Sequence, residues 1–261
     1  MGSKLGRMGA TLLLLAVPAS AGAVADEEGN GAPAARAESA AAPGALPFTY
    51  APISEGHRAT ASAASFYDNA RQRTLSEAGA EVRLFAPVSL HGGASTGLAN
   101  EPVAPFVGGR FVGLKESRHW VDGVVSATYR SEGFNLVPEL QMQAAFGRHF
   151  GASALYLNLA YGHGLERGER HADVGFSAIH GLFEHRLFFG IDSRVRIDAE
   201  RDDDEPAHEG EMDAMVGPVV GLAFGAVALS GFGGLSATRY RDLSPDRVGA
   251  FGGIRIGTVF F

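Results

Sequence analysis

In Leu155-Tyr156-Leu157-Asn158-Leu159-Ala160-Tyr161, three leucines and a tyrosine occupy one parity, and Tyr156 and Asn158 the other. A side-chain period of two belongs to a β-strand and gives it one apolar and one polar face. The pattern recurs along the chain. "EVRLFAPVSL" sets Val82, Leu84, Val88 and Leu90 against Glu81, Arg83 and Ser89. "FNLVPELQMQAA" sets Phe134, Leu136, Leu140 and Met142 against Asn135, Glu139, Gln141 and Gln143. "LFFGIDSRVRID" sets Leu187, Phe189, Ile191, Val195 and Ile197 against Asp192, Arg194, Arg196 and Asp198. Ten segments read this way: 81–90, 105–115, 119–130, 134–145, 151–161, 172–183, 186–197, 212–223, 227–237 and 248–260. Each approaches the ~9–11 residues a tilted strand needs to cross a bilayer. Assigning 48–80 or 103–116 differently gives eight or twelve strands.

The connections alternate in length. "ESR", "FGRHF", "EH" and "FGAV" are short, whereas "HGGASTGLANEPVA", "GHGLERGERH", "DAERDDDEPAHEGE" and "ATRYRDLSPDR" are long and polar, with "SEG" the exception. Short turns at one end and long loops at the other are how transmembrane barrels are built, with both termini at the short-turn end. An even strand count closes such a meander without a free edge. The long loops, at 92–104, 162–171, 198–211 and 238–247, would then face outward, where binding residues tend to sit.

The polar parity carries both signs: Glu81, Asp122, Glu139 and Asp192 against Arg83, Arg110, Arg194, Arg196 and Arg255, with Gln141 among them. On the inside of a narrow barrel these residues would pair and fill a polar lumen. On the outside of a soluble barrel they would simply meet water, and alternation alone does not separate the two. Tyr129, Phe134, Tyr161, Phe183, Phe224 and Phe260 fall near segment ends, as an interfacial girdle requires. The 36 glycines lie within strands as well as turns.

At the N-terminus, Lys4 and Arg7 precede the apolar run Met8–Val17, and Ala23-Val24-Ala25 precedes Asp26. These are the parts of a secretory signal peptide, expected over residues 1–25. Its removal takes the formal charge from −7 to −9 and leaves Lys115 as the last lysine. That sign argues against nucleic acid as a partner. There is no cysteine, so thiolate zinc sites and disulfides are excluded. Residues 26–79 read as an Ala/Pro/Gly-rich disordered tether and a lead-in of uncertain structure, and 80–261 as the barrel.

The last strand, "GGIRIGTVFF", resembles the C-terminal assembly signal of bacterial outer-membrane β-barrel proteins, which close on a strand ending in Phe or Trp. Phe261 matches the terminal aromatic and Val259 the hydrophobic position two before it. Gly257 and Arg255 depart from the residues this register prefers. The other parity, Phe260, Ile256, Ile254 and Ala250, alternates better but leaves Phe261 off the lipid face. The resemblance implies an all-β, antiparallel up-and-down transmembrane barrel of the small monomeric type, in the outer membrane of a Gram-negative envelope. It also implies membrane lipid, lipopolysaccharide and the barrel-assembly machinery as partners. It implies no substrate.

No catalytic constellation stands out. The histidines, among them His149, His163, His171, His180 and His185, show no H-x-H or H-E-x-x-H spacing and read as solvated or interfacial, so no metal site is expected. The acidic run Glu200–Asp213 lacks the spacing of a calcium loop. Ser177 and His180 fall on opposite faces. Ser89 and His91 share a face and come nearest to a nucleophile–base pair. The expectation is a non-enzyme without cofactor, with an occluded polar lumen and a structural or surface-interaction role. A narrow solute channel and a soluble lipocalin-like barrel, with Leu155, Leu157 and Leu159 inside, are the alternatives.

Overall fold

The computed structural model describes residues 58–70, 73–96, 103–131, 138–165, 170–183, 186–199, 212–239 and 246–260. They form twelve strands: β1 (Ala59–Asp68), β2 (Arg73–Phe85), β3 (Val88–Thr96), β4 (Ala104–Leu114), β5 (Asp122–Arg130), β6 (Glu139–Phe150), β7 (Ser153–Gly164), β8 (Arg170–Leu182), β9 (Leu187–Ala199), β10 (Met212–Phe224), β11 (Val227–Arg239) and β12 (Arg247–Phe260). Each strand pairs antiparallel with the next, and β1 pairs with β12 from Ala59↔Phe260 to Asp68↔Phe251, closing an up-and-down barrel. One short helix, α1 (Glu116–His119), joins β4 to β5. No helix among the described residues is long and apolar enough to cross a membrane.

Twelve strands replace the expected ten, and the barrel starts at Ala59 rather than at residue 80. Strand β1, "ATASAASFYD", hides its parity because Ala59, Ala61 and Ala63 share a face with only one large residue, Tyr67. The segment 81–90 straddles two strands, with Ala86 and Pro87 as the turn between them. Strand β6 begins at Glu139, after Pro138, and runs on through the "FGRHF" stretch to Phe150. The β5–β6 connection therefore spans 131–138 and joins the long set, which removes the exception at "SEG". The signal peptide, residues 26–57 of the tether and lead-in, and Phe261 lie outside the described residues.

One barrel end, hereafter the turn end, carries the connections 86–87, 115–121, 151–152, 183–186 and 225–226, together with Ala59 and Phe260. The other, the loop end, carries 69–72, 97–103, 131–138, 165–169, 200–211 and 240–246. Gly151 and Gly225 have φ of 61° and 57° at the first position of two-residue turns. A type II′ hairpin needs that conformation, which glycine adopts without a Cβ penalty.

The outer surface is apolar and the inner one mixed. Leu157 and Ile256 are 39% and 49% exposed, while Asp192 on the opposite parity is 1% exposed. Aromatic residues mark both rims of the outer face. Phe85, Trp120, Phe150, Phe183, Phe224 and Phe260 are exposed at the turn end, and Tyr67, Tyr129 and Tyr161 toward the loop end.

Inside, ring side chains sit directly across from glycines. Phe66 faces Gly253, His91 faces Gly108, Phe106 faces Gly93, Tyr156 faces Gly147, His171 faces Gly162 and Phe188 faces Gly221. A Cβ at Gly162 or Gly221 would fall 1.9 Å or 2.1 Å from the His171 or Phe188 ring. Glycine in a strand normally weakens a sheet, but here it gives each inward ring a place to lie. The barrel interior is consequently not polar throughout. Ala154, Tyr156, Ile179, Phe188, Val219 and Ala228 pack with Phe232 and Phe251 into an apolar cluster.

Candidate functional site

The interior divides along the barrel axis. In the turn half, on the β2–β4 side, Glu81 accepts hydrogen bonds from the Ser89 hydroxyl and pairs with the Arg110 guanidinium. Adjacent strands present these residues on one inward face, Ser89 lying directly opposite Arg110. The Glu81 and Arg110 side chains are only 7% and 9% exposed. The apolar cluster runs along β7–β12, from Ala154 and Ala228 near the turn end to Phe251, which pairs with Asp68 toward the loop end. Removing one partner of such a buried pair strands the other charge, at a cost of about 3–5 kcal/mol.

The loop half holds a cavity of about 240 Å³. Its walls include Glu77, Arg130, Glu139, His171, Asp173, Arg194, Arg196 and Arg255. Arg194 reaches a single carboxylate oxygen of Asp173 through Nε and Nη2, each at 2.8 Å. His171 Nε2 lies 3.4 Å from Glu139 and 3.5 Å from Asp173. Arg130 donates to Ser95 Oγ, approaches Glu77 at 3.4 Å, and lies 4.9 Å from the Phe106 ring centre. Arg255 donates to Ser62 Oγ at 3.1 Å. Nearer the loop rim, Asp68 accepts from Ser236 Oγ at 2.8 Å, and Asp213 from Thr238 Oγ1 at 2.7 Å.

Of the polar residues singled out from the sequence, Glu139, Gln141, Arg194, Arg196 and Arg255 come together around this cavity. Asp192 is buried one inward step from Arg194, while Glu81 and Arg110 form the separate turn-half pair. Arg83 is half-buried further toward the turn end. Asp122 instead stands at the turn rim, where it accepts the Glu116 backbone N–H at 2.8 Å. Val259 is buried and Phe260 exposed, so the outward parity of β12 is that of Ile254, Ile256 and Phe260.

Glu77, Arg130, His171 and Asp173 were missed. Glu77 fell in the stretch read as a lead-in. His171, read as solvated, is buried against Gly162. The available signal was the alternation of His171, Asp173 and Ser177 with Val174 and Phe176, had the strand been started at residue 170.

The catalytic candidates separate. The Ser89 hydroxyl donates a hydrogen bond to Glu81, while His91 Nε2 meets Thr128 Oγ1 at 2.7 Å. Ser177 donates to the Ile191 carbonyl, and His180 Nδ1 lies 2.9 Å from Ser153 Oγ instead. Ligand atoms of Glu116, Asp122 and His149 fall within 4.8 Å of one another at the turn rim. Hydrogen bonds account for that grouping: Glu116 Oε2 accepts from the His149 backbone N–H at 3.2 Å and lies 2.9 Å from its Nδ1.

No protein-family model matches the chain, and no curated protein matches it by sequence. Among solved structures, a bacterial polysaccharide outer membrane secretin is similar at a TM-score of 0.42 and 8% identity, over 78% of this chain and 99% of the other. OccAB3 of Acinetobacter baumannii gives 0.38 and 9%, over 76% of this chain and 59% of the other. OccK11 (OpdR) of Pseudomonas aeruginosa gives 0.37 and 8%, over 82% and 69%.

Proposed function

We propose that this chain is an integral outer-membrane β-barrel with a non-catalytic structural or surface-interaction role, closed in its turn half and open to small polar species in its loop half. The observation that carries this reading is the sorting of side chains on a closed ring: Leu155, Leu157, Leu159, Ile191, Ile254 and Ile256 outward, Glu81, Asp173, Asp192 and Arg196 inward. A soluble barrel with an apolar ligand inside would need the reverse. Along β6, Leu140 to Phe150 covers about 34 Å of strand. At the usual tilt of ~40° this gives a height of about 26 Å, close to the ~25 Å apolar band of such barrels. The aromatic rims would then sit at the two interfaces.

Outer-membrane fractionation and gel mobility with and without boiling test this reading. The expected result is recovery in the membrane fraction and a heat-dependent shift in mobility. Recovery in the soluble fraction without detergent would overturn it. A narrow channel is the second reading, favoured by the cavity and its four arginines. Steady single-channel conductance in planar bilayers would select the channel, and its absence would select the closed barrel.

A further inference from the structure

We infer that the turn rim carries a binding site for the phosphate of a glycerophospholipid, centred on Arg148. The inference rests on the membrane reading above. Arg148 shares the outward parity of β6 with Leu140, Met142 and Phe150, and lies directly across from the exposed Leu155 of β7. Its guanidinium carbon is 3.8 Å from the Trp120 ring centre and 4.8 Å from that of Phe150. Trp120 follows α1 with a φ of 72° and is 69% exposed, so the stack stands on the outer surface.

Among the described residues the arrangement lacks an anion. Nε and Nη1 of Arg148 are covered and have no hydrogen-bond partner, and no described carboxylate pairs with the side chain. The two acids of the adjoining connection are occupied, Glu116 with His149 and Asp122 with the Glu116 backbone. Arg118, exposed in the same connection, adds a second cation, and Lys115 precedes α1. A planar guanidinium held by aromatic rings suits a phosphate, which would meet the uncovered Nη2 first and reach Nη1 as the covering groups shift, completing the fork. The rings would lie at the interfacial depth, where Trp is favoured and barrels carry an aromatic girdle. In barrels of this type the turn end faces the periplasm, so the phosphate within reach belongs to an inner-leaflet glycerophospholipid.

The sequence contains a single tryptophan, Trp120, which makes its emission a reporter of this site. The full chain, folded in detergent, would be titrated with short-chain phosphatidylglycerol, with a maltoside-headed lipid of equal chain length, and with lipid A. The expected result is a saturable change in emission with phosphatidylglycerol only. Arg148→Gln should raise the half-saturating concentration about tenfold, and Arg148→Lys less, because lysine keeps the charge but not the stacked plane. Both variants should retain the heat-dependent gel shift. An Arg148→Gln titration identical to the parent, or an equal response to the maltoside lipid, would overturn the site. Tighter response to lipid A would overturn the choice of leaflet. Failure of the unaltered protein to float with phospholipid vesicles would sink the membrane reading itself, and the site with it.

Discussion

Glu77 and Glu81 stand on the same inward face of β2, yet their side chains are 47% and 7% exposed. The first approaches Arg130 at 3.4 Å beside the cavity, and the second is enclosed between Ser89 and Arg110. The same residue type on one strand therefore belongs to two environments. In the turn half, Glu81 and Arg110 are paired and buried, and the Tyr156 and Phe188 rings are buried as well. In the loop half, carboxylates and arginines surround an open volume. Charge inside a barrel is thus structural at one end and accessible at the other, and burial decides which.

The largest break in this comparison comes from Glu81→Ala. It leaves Arg110 buried without its carboxylate and should lower stability by about 3–5 kcal/mol, read by urea unfolding in detergent or by the temperature of the gel shift. Phe188→Ala attacks the apolar side of the same half. It should cost about 3–5 kcal/mol, and a double variant with Tyr156→Ala should raise planar-bilayer conductance if the rings close the lumen. Leu157→Arg tests the outer face rather than the lumen, with an expected loss of about 2–4 kcal/mol near the apolar band's centre. An unchanged unfolding midpoint there would contradict a lipid-facing Leu157. Glu77→Gln should change stability by less than about 1 kcal/mol, since an exposed pair contributes little. A loss equal to that of Glu81→Ala would erase the distinction between the halves.

Much of this was legible because the strand period of two sorts side chains before any contact is known. Leu155, Leu157 and Leu159 are exposed on the outer face, and Asp192 and Arg196 are buried within. Strand β1 was illegible for the converse reason, since Ala59, Ala61 and Ala63 offer too little contrast with Ser62 and Ala64. The apolar cluster escaped notice for another reason. Tyr156, Phe188 and Val219 lie on the parity shared with polar and charged residues, and only the pairing of β7 through β10 shows that they converge. The cavity's His171 and Asp173 sit at the boundary of a loop, where single-sequence boundaries are least certain.

The ring-and-glycine pairs bear on how the barrel finds its alignment. A strand that slips by one residue turns its apolar face inward and is rejected on polarity. A slip of two keeps every face correct, so alternation cannot forbid it. The rings can. Shifted by two, Phe188 would meet Val219 or Ala223 in place of Gly221, and Phe66 would meet Phe251 or Arg255 in place of Gly253. Phe188 and Phe66 thus act as keys, each cut for one notch. The barrel carries its own proofreading for the error that its polarity pattern leaves open.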